Sequence, residues 1–396
     1  MKKVCVVTTT RAEYGLLRPL LCRLRENREI KTQLLVTGAH LERAYGETVQ
    51  EILKDGYSPD LCVPIIMDDS PLGILKTMGN AVQYVGEALR TLQPDLLVLL
   101  GDRYETLAIA SAAVVLGLPI AHLYGGEVTS GAFDEMFRHA VTKLSYLHFT
   151  ATDEYRNRVI QMGESPDRVF KVGSLGVENV LNTELLSREE LERQIDFSMN
   201  NTLLATYHPV TMETGAQAEQ FRELLEALRE KSEYRVLFTR PNADTYRNEL
   251  NTVLDEFVDK FSHRVMAIDS LGVIGYLSAM KYSAGIIGNS SSGIIEAPSM
   301  HIGVINIGNR QKGRISAESV IHCSPKKDEI IAALNRLGST EYKEKLQLVK
   351  NPYESEGTSS NIAMRIAQFF DDCASKQKTF YDLDFMQIDG ETECEG

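Results

Sequence analysis

The side chains best suited to chemistry in this 396-residue chain lie directly after apolar runs of strand length. Arg11 follows the run Val4–Thr8, and Asp102 and Arg103 follow the run Leu96–Leu100. In open α/β sheets, ligands gather outside the carboxyl ends of the strands, so these residues are expected to share one rim of a sheet. Carboxylates move protons and arginines pair with phosphate oxygens, and their concentration at one rim indicates an enzyme.

A serine-rich loop, Gly288-Asn289-Ser290-Ser291-Ser292-Gly293, predicts an anion site. It follows a strand-like run and precedes a helical segment, so free backbone N–H groups and serine hydroxyls would point at the ligand. The alternative is that Ser290 or Ser291 only caps the helix. The loop has the spacing of neither a nucleophile elbow nor a Walker A loop. A G-x-G-x-x-G fingerprint is absent, so NAD binding lacks its best support and no cofactor is expected.

Four arginines near strand ends predict a clamp for a diphosphate. Arg310 and Arg314 lie just beyond one strand-like run, and Arg11 and Arg103 could approach from the other half of the chain. The planar guanidinium pairs bidentately with phosphate oxygens. Each arginine alone is more simply explained as a surface ion pair worth ~0–1 kcal/mol, but four at strand ends favour the clamp.

Three carboxylates are candidates for proton transfer. Asp102 ends an almost wholly apolar strand, and a carboxylate at a buried strand end is a good candidate for a perturbed acid or base. Glu127 follows two glycines that would let a ligand approach the backbone. Asp134 lies four residues before Arg138 on a predicted helix, where a helical ion pair explains both residues about as well as catalysis does.

Among the eight histidines, His208 is the best functional candidate. It precedes Pro209 at the end of the first strand-like run of the second half. No H-E-x-x-H or similar spacing of metal ligands occurs, so no metal centre is predicted.

Strand-like runs alternate with helix-period segments along nearly the whole chain, which indicates right-handed βαβ units and an α/β fold class. The predicted helices include 41–55, 72–92 and 134–145. The same alternation repeats in the second half, which predicts two Rossmann-like, doubly wound domains facing each other across a cleft.

The turn-prone Gly173-Ser174-Leu175-Gly176 marks the expected crossover between the two domains. We expect an N-terminal domain over 1–174 and a C-terminal domain, which carries the predicted anion site, over 175–356. A last helix over 357–372 would pack back on the first domain, and residues 373–396 form an acidic tail that is expected to be mobile.

The composition is that of a folded globular protein, with 43% hydrophobic and 24% charged residues. The formal net charge of −13 argues against a nucleic-acid partner, and no run of about 18 apolar residues predicts a membrane span. The six cysteines form no C-x-x-C pair. Cys5, Cys22 and Cys62 lie in apolar runs and are interpreted as core residues, which favours a reducing, cytoplasmic location.

Seven motifs together resemble the hydrolysing UDP-N-acetylglucosamine 2-epimerases of bacterial sialic acid biosynthesis, in order from about residue 3 to 370. They are Thr10-Arg11-Ala12-Glu13-Tyr14-Gly15, Gly101-Asp102-Arg103-Tyr104-Glu105, Gly125-Gly126-Glu127, Asp134-Glu135 with Arg138-His139, His208-Pro209, Gly288-Asn289-Ser290-Ser291-Ser292-Gly293 and Arg310-Gln311-Lys312-Gly313-Arg314.

The resemblance implies a glycosyltransferase-B architecture with UDP-N-acetylglucosamine in the cleft, in a homodimer or homotetramer. It implies that UDP leaves by elimination across C1–C2, and that the resulting glucal takes up water to give N-acetylmannosamine. The residues implied to hold the substrate and its UDP are Arg11, Arg103, Ser290, Ser291, Glu296 and Arg310. The implied catalytic candidates are Asp102, Glu127, Asp134 and His208, with Arg138 in support.

Tyr124 departs from the family pattern, because other branches carry a glutamate there. Either Glu127 takes over part of that role, or the proton transfers are distributed differently. Relatives acting on UDP-2,4-diacetamido-2,4,6-trideoxyglucose share much of the pattern. Three further functions stay open at this point, namely a non-hydrolysing 2-epimerase, a glycosyltransferase of the same architecture and a non-catalytic regulator that binds nucleotide sugars.

Overall fold

A computed structural model describes residues 1–129, 133–208, 217–240, 247–371 and 377–383 of the chain. Within these residues, the first half forms a seven-stranded sheet in which all pairings are parallel. Its strands are β1 (Lys2–Thr8), β2 (Ile30–Thr37), β3 (Leu61–Val63), β4 (Leu96–Leu100), β5 (Ile120–Leu123), β6 (Leu147–Thr150) and β7 (Val169–Lys171). Their order is β3-β2-β1-β4-β5-β6-β7.

The second half repeats this design in a six-stranded parallel sheet among the described residues. Its strands are β8 (Thr202–Thr206), β9 (Arg235–Thr239), β10 (Val265–Ile268), β11 (Gly285–Gly288), β12 (Val304–Ile307) and β13 (Val320–Cys323). Their order is β10-β9-β8-β11-β12-β13. The predicted pair of Rossmann-like sheets is therefore confirmed. Strand β13 was not predicted, because its apolar run stops after two residues at His322.

Helices cover both sheets. Those of the first half are α1 (Arg11–Glu26), α2 (Val49–Lys54), α3 (Pro71–Asn80), α4 (Gly86–Leu92), α5 (Tyr104–Val115), α6 (Asp134–Leu144) and α7 (Asp153–Gln161). Those after the first sheet are α8 (Leu175–Asn182), α9 (Arg188–Ile195), α10 (Gln217–Glu230), α11 (Arg247–Phe261), α12 (Gly272–Tyr282), α13 (Ser291–Ile295), α14 (Lys327–Gly338), α15 (Thr340–Leu346) and α16 (Thr358–Asp371).

Two predicted helices differ from the structure. The segment 72–92 is interrupted by a π-helical turn over Ala81–Val85, which joins α3 to α4. In the segment 41–55, the regular helix is confined to Val49–Lys54, after short 3₁₀ turns. In the second segment, the left-handed backbone at Gly46 and Glu47 precedes the regular helix.

Each sheet has one position where the direction of strand progression reverses, and ligands of such sheets bind at this position. In the first sheet it lies between β1 and β4, and in the second between β8 and β11. The loops after these four strands begin at Thr9, Gly101, Tyr207 and Asn289. Asp102, Arg103, His208 and Ser290 lie in these loops, and Arg11 and Ser291 begin the helices that follow them.

The last helix returns to the first sheet, as expected. Ile362, Ala363 and Ile366 of α16 are buried in one apolar cluster with Leu17 and Leu20 of α1. The domain boundaries at 174/175 and 356/357 remain a prediction.

Part of the predicted acidic tail packs against the first half of the chain. Among residues 377–383, the Tyr381 N–H donates to the Gly163 carbonyl at 2.9 Å, and Lys378 pairs with Glu164 at 2.8 Å. The expectation of a mobile tail is therefore wrong for this segment, because Lys378 and its neighbours find buried partners. The rest of the tail, with Cys373 and Cys394, lies outside the described residues.

Two of the cysteine predictions are wrong. Cys5 is buried, but Cys22 and Cys62 are exposed. Cys22 lies on the solvent side of α1, and Cys62 lies in β3, which is an edge strand. In the part of the chain that the structure describes, no helix is long and apolar enough to cross a membrane.

Candidate active site

Arg138 on α6 is the centre of a buried polar cluster at the carboxyl edge of the first sheet. The side chain is 1% exposed. Its Nε donates to Asp102 Oδ2 at 3.0 Å, and its Nη2 also contacts that oxygen. Further bonds run from Nη1 to the Glu127 carbonyl at 2.9 Å and to Glu135 at 2.7 Å, and from Nη2 to Thr129 at 2.8 Å. Such a network fixes the guanidinium and links the loops after β4 and β5 to helix α6.

Arg138 does not form the helical ion pair predicted with Asp134. In the described part of the chain its carboxylate partners are Asp102 and Glu135. Glu135 is ionised at neutral pH, because hydrogen bonds from His139 and the Thr129 N–H and the charge of Arg138 outweigh burial and lower its pKa to about 2. The sequence missed this arrangement because Asp102 and Arg138 meet only through the fold.

Asp102 and Asp134 have opposite electrostatic environments. Burial opposes ionisation of Asp102, but the charge and hydrogen bonds of Arg138 and the charge of Arg314 hold its pKa below the usual value. Burial and the negative charge of Asp102 raise the pKa of Asp134 to about 6, in spite of Arg103, Arg138 and Arg310. The sequence favoured Asp102 as the proton carrier, whereas in the structure Asp134 is the one of these two aspartates that titrates nearer to neutral pH.

Glu127 is linked to the second half of the chain. Its carboxylate lies 2.8 Å from Nη1 of Arg314, and both side chains are less than 10% exposed. The glycines before it have a structural reason that the sequence interpretation missed. Gly126 has a φ of 80°, and a Cβ there would lie 2.3 Å from the Tyr155 carbonyl oxygen. The close neighbour of this glycine is therefore helix α7.

Arg103 is the last residue before α5 and lies beside two buried glutamates. It pairs with Glu105 at 3.2 Å. Glu13 on α1 accepts hydrogen bonds from the Thr9 N–H at 2.8 Å and hydroxyl at 2.7 Å. Burial raises the pKa of Glu13 to about 7, although Arg103 and Thr9 act in the other direction. Glu13 was not among the predicted site residues, although its place in the first helical turn after β1 was a usable signal.

His122 binds the turn that carries Asp102, and it was not among the predicted site residues. It is fully buried in β5, its Nε2 donates to the Gly101 carbonyl at 2.8 Å, and its Nδ1 accepts from Thr142 at 3.2 Å. Burial lowers its pKa to about 4, so the ring is neutral at pH 7. The sequence feature that could have identified His122 is its position inside an apolar strand-like run.

His208 and Asn289 join the two loops at the reversal point of the second sheet. The His208 N–H donates to the Asn289 side-chain oxygen at 2.7 Å, and the Asn289 amide donates back to the His208 carbonyl at 2.8 Å. Both residues are buried. The histidine is thus held beside the serine loop, as the predicted role requires. Pro209, the second residue of that motif, lies outside the described residues.

The serine loop does not simply cap its helix. Ser290 precedes α13 but makes no side-chain capping bond; its hydroxyl lies 3.1 Å from that of Ser292, which contacts Tyr276 at 2.6 Å. Ser291 begins the helix and is partly exposed. Gly288 is required behind them, since at its φ of 138° a Cβ would lie 1.9 Å from the Thr206 carbonyl oxygen.

The loop after β12 reaches both sides of the cleft. The Arg310 guanidinium and the Gln311 amide each donate to the Asn289 carbonyl at 3.0 Å, while Arg314 reaches Glu127. Arg310 therefore lies beside Ser290, as predicted for the clamp, whereas Arg314 points to the acid cluster.

Arg11, Glu296 and Tyr124 lie along the junction between the two halves. Arg11 donates to Ser270 at 2.5 Å across the cleft. Burial raises the pKa of Glu296 to about 7, and its carboxylate faces Gly176 at the start of α8. The Tyr124 hydroxyl lies 3.1 Å from that of Ser174. Tyr124 is thus directed toward the crossover.

In the described ranges, no group of three or more His, Cys, Asp or Glu side chains is arranged to hold a metal ion. The acids of this site can transfer protons, and its arginines and hydroxyls can bind phosphate oxygens. Asp134, with a pKa of about 6, lies within electrostatic range of Arg310, which binds the Asn289 carbonyl beside the serine loop.

Known proteins resemble this chain in both sequence and fold. The profile of the family described as UDP-N-acetylglucosamine 2-epimerase matches residues 22–367. Polysialic acid biosynthesis protein P7 of Escherichia coli is 38% identical over 97% of this chain and 98% of its own length. The GDP/UDP-N,N'-diacetylbacillosamine 2-epimerase (hydrolyzing) of Campylobacter jejuni is 37% identical over 87% of this chain and 89% of its own. The structure of UDP-GlcNAc 2-epimerase from Neisseria meningitidis bound to UDP-GlcNAc shares the fold, with a TM-score of 0.78 at 20% identity over 92% of this chain and 100% of that one.

Proposed function

Since the chain belongs to the UDP-N-acetylglucosamine 2-epimerase family, we propose that it is a hydrolysing member, which converts UDP-N-acetylglucosamine and water into N-acetylmannosamine and UDP. The relative from Campylobacter jejuni carries the word hydrolyzing in its name, which supports this choice. The relative from Escherichia coli is named for polysialic acid biosynthesis, and supply of a sialic acid precursor is part of the proposal.

The proposed reaction has two stages. A base removes the proton from C2 while the C1–O bond breaks, and the bonding electron pair leaves with UDP to give a glucal. Water then adds its oxygen to C1, and C2 receives a proton on the opposite face, so that the configuration at C2 is inverted. These steps need a proton carrier at C2, a clamp for the diphosphate and a group that positions water.

The observation that carries the proposal is a continuous series of contacts from the acid cluster to the serine loop. Arg138 binds Asp102 and the Glu127 carbonyl, and the Glu127 carboxylate pairs with Arg314. Arg310, four residues earlier in the same loop, binds the Asn289 carbonyl beside Ser290. An acid on one wall and a phosphate clamp on the other are what C2 proton transfer with loss of UDP requires.

The residue roles follow from the electrostatics. Asp134 is the proposed proton carrier, because its pKa of about 6 lies near the operating pH. Asp102 and Arg138 orient the sugar as a fixed ion pair, while Ser290, Ser291 and Arg310 hold the diphosphate, with His208 beside it. Glu127, whose carboxylate pairs with Arg314 from the other half of the chain, is proposed to position water.

Incubation of the protein with UDP-N-acetylglucosamine in D₂O, followed by NMR of the products, tests the proposal. We expect UDP and a free amino sugar with deuterium at C2. An intact UDP-sugar epimerised at C2 would instead identify a non-hydrolysing 2-epimerase. Transfer to an acceptor without deuterium at C2 would identify a glycosyltransferase, and binding without turnover a regulator.

A second substrate is favoured by one comparison. The hydrolyzing relative from Campylobacter jejuni is named for diacetylbacillosamine. The same NMR assay with UDP-2,4-diacetamido-2,4,6-trideoxyglucose distinguishes the candidates. A kcat/KM higher for this compound than for UDP-N-acetylglucosamine would replace the proposed substrate while leaving the reaction unchanged.

A further inference from the structure

Arg314 was expected to help clamp the diphosphate, but its side chain is used elsewhere. Its Nη1 lies 2.8 Å from Glu127 Oε2, and the two side chains are 9% and 6% exposed. Neither Nε nor Nη1 of Arg314 makes a directed hydrogen bond to a described residue, so the contact with Glu127 is held by charge and distance. A buried arginine with donors to spare, against a carboxylate of the proposed site, requires an explanation.

The backbone next to Arg314 is fixed to the first half of the chain. The Ile315 N–H donates to the Tyr155 hydroxyl at 3.2 Å, and the Tyr353 hydroxyl donates to the Ile315 carbonyl at 2.8 Å. The two hydroxyls lie 2.7 Å apart, and both tyrosines are fully buried. The carboxyl end of the loop therefore has a defined position relative to α7, and Gly126 packs against the Tyr155 carbonyl of that helix.

The amino end of the same loop is fixed to the serine loop. Arg310 and Gln311 both donate to the Asn289 carbonyl at 3.0 Å. One short segment thus touches the proposed diphosphate site at Arg310 and the acid cluster at Arg314. Three residues separate Arg310 from Arg314, so both contacts belong to one short segment.

We propose that Arg314 is a positioning residue that fixes the Glu127 carboxylate for the reaction, and that it links occupation of the diphosphate site to the geometry of the acid cluster. The proposal rests on the proposed function. The role differs from that of a clamp, since Arg314 acts through Glu127.

A cycle of variants tests this role with two readouts, the rate of UDP release and the affinity for UDP measured by calorimetry. Arg314→Gln is expected to lower kcat by about 100-fold, the order of loss that misplacing a reacting group causes. UDP affinity should change less than about 3-fold, because Arg310 and the serine loop remain in place. Arg314→Lys keeps the charge but not the fork and should recover part of the loss.

The double variant Glu127→Gln/Arg314→Gln separates positioning from an independent role. It removes both buried charges together and so avoids the unpaired charge that could unfold Arg314→Gln. We expect its rate of C2 deuterium exchange to lie within about 3-fold of Glu127→Gln alone, because Arg314 has nothing left to position. Lys312→Gln is the matched control, since Lys312 is an exposed cation in the same loop.

Two outcomes overturn the proposal. If Arg314→Gln weakens UDP binding as strongly as Arg310→Ala, Arg314 belongs to the clamp. If the losses in the double variant multiply, Arg314 acts independently of Glu127. Failure of the proposed function is distinguishable, since the wild-type protein would then release no free amino sugar from either UDP-sugar. In that case the stabilities of the same single and double variants are compared by thermal unfolding. If the effects of the two substitutions on stability are additive, Glu127 and Arg314 do not form a coupled pair and the proposal is contradicted.

Discussion

Two aspartates illustrate how single side chains in this cleft receive different tasks. Asp102 is bound by a fully buried arginine and stays ionised, while Asp134 is buried beside that negative charge and holds its proton more tightly. Environments that push neighbouring carboxyl groups apart in pKa are typical of sites that need one fixed charge and one mobile proton. Asp134 should therefore transfer the proton, and Asp102 should orient Arg138.

Asp134→Asn removes the titrating group and keeps its size. We expect kcat to fall by about 100-fold or more, since general acid–base groups contribute at least that much, with UDP affinity nearly unchanged. In the wild-type protein the base form of Asp134 is needed, so kcat/KM should rise with pH through an apparent pKa of about 6. Initial rates between pH 4.5 and 8 check both statements. A profile in Asp134→Asn that keeps the same inflection would assign it to another group.

Arg310→Ala should act on binding before it acts on chemistry. Arg310 lies beside the serine loop through its bond to the Asn289 carbonyl, and charge-assisted hydrogen bonds to phosphate contribute about 1.5–3 kcal/mol each. The Kd for UDP is expected to rise by about 10- to 100-fold, which calorimetry measures directly. Lys312→Ala in the same loop is the control. If both variants lose the same affinity for UDP, the loss comes from the reduced positive charge of the loop and not from a direct contact of Arg310 with phosphate.

The bend between β5 and α6 shows how a local backbone requirement positions a catalytic element. Gly126 adopts a φ of 80° against the carbonyl of Tyr155 on α7, and Glu127 and Thr129 follow it as acceptors for Arg138. Because the glycine lets α7 approach the bend closely, the carbonyl of Glu127 is held where Arg138 can bind it. The bend thus joins packing on one side to the polar cluster on the other.

Gly126→Ala tests this arrangement against a control of equal backbone strain. Gly117 has a φ of 66° but open space around its missing side chain. Gly117→Ala should therefore cost about 1–2 kcal/mol from the left-handed backbone alone. Gly126→Ala carries the same strain and a Cβ contact of 2.3 Å, so it should cost more than about 3 kcal/mol. Urea unfolding of both variants measures the difference, and equal losses would mean that the backbone at residue 126 moves without penalty.

The strands were more predictable than the contacts between them. Runs such as Leu96–Leu100 are buried on both faces and are therefore apolar at every position. In β13 only two residues are buried, so its apolar run is too short to predict a strand. The partners of Arg138 could not be predicted, because Asp102 is 36 residues away and a helical neighbour was the simpler choice. The direction of Arg314 depends in the same way on where two buried tyrosines hold its loop.

The C-terminal segments of the chain pack back on its first half. After the second sheet, α16 packs on α1, and residues 377–383 then cross the end of α6. Lys378 donates to the carbonyls of Lys143 and Ser145 at 2.6 Å, and it pairs with the buried Glu164. Cations at a helix carboxyl end satisfy its free carbonyl groups and its dipole. This contact connects the far end of the chain to the helix that carries Asp134 and Arg138.

Lys378→Met keeps the length of the side chain and removes its charge. It leaves two carbonyl groups and part of the charge of Glu164 without a partner, so the free energy of unfolding should fall by about 2–4 kcal/mol. Lys345→Met is the control, because its pair with Glu341 is exposed on both sides and should contribute no more than about 1 kcal/mol. UDP affinity should stay the same in both variants, since Lys378 lies at the opposite end of α6 from Asp134. Equal unfolding free energies for the two variants would mean that this segment rests on the first half without stabilising it.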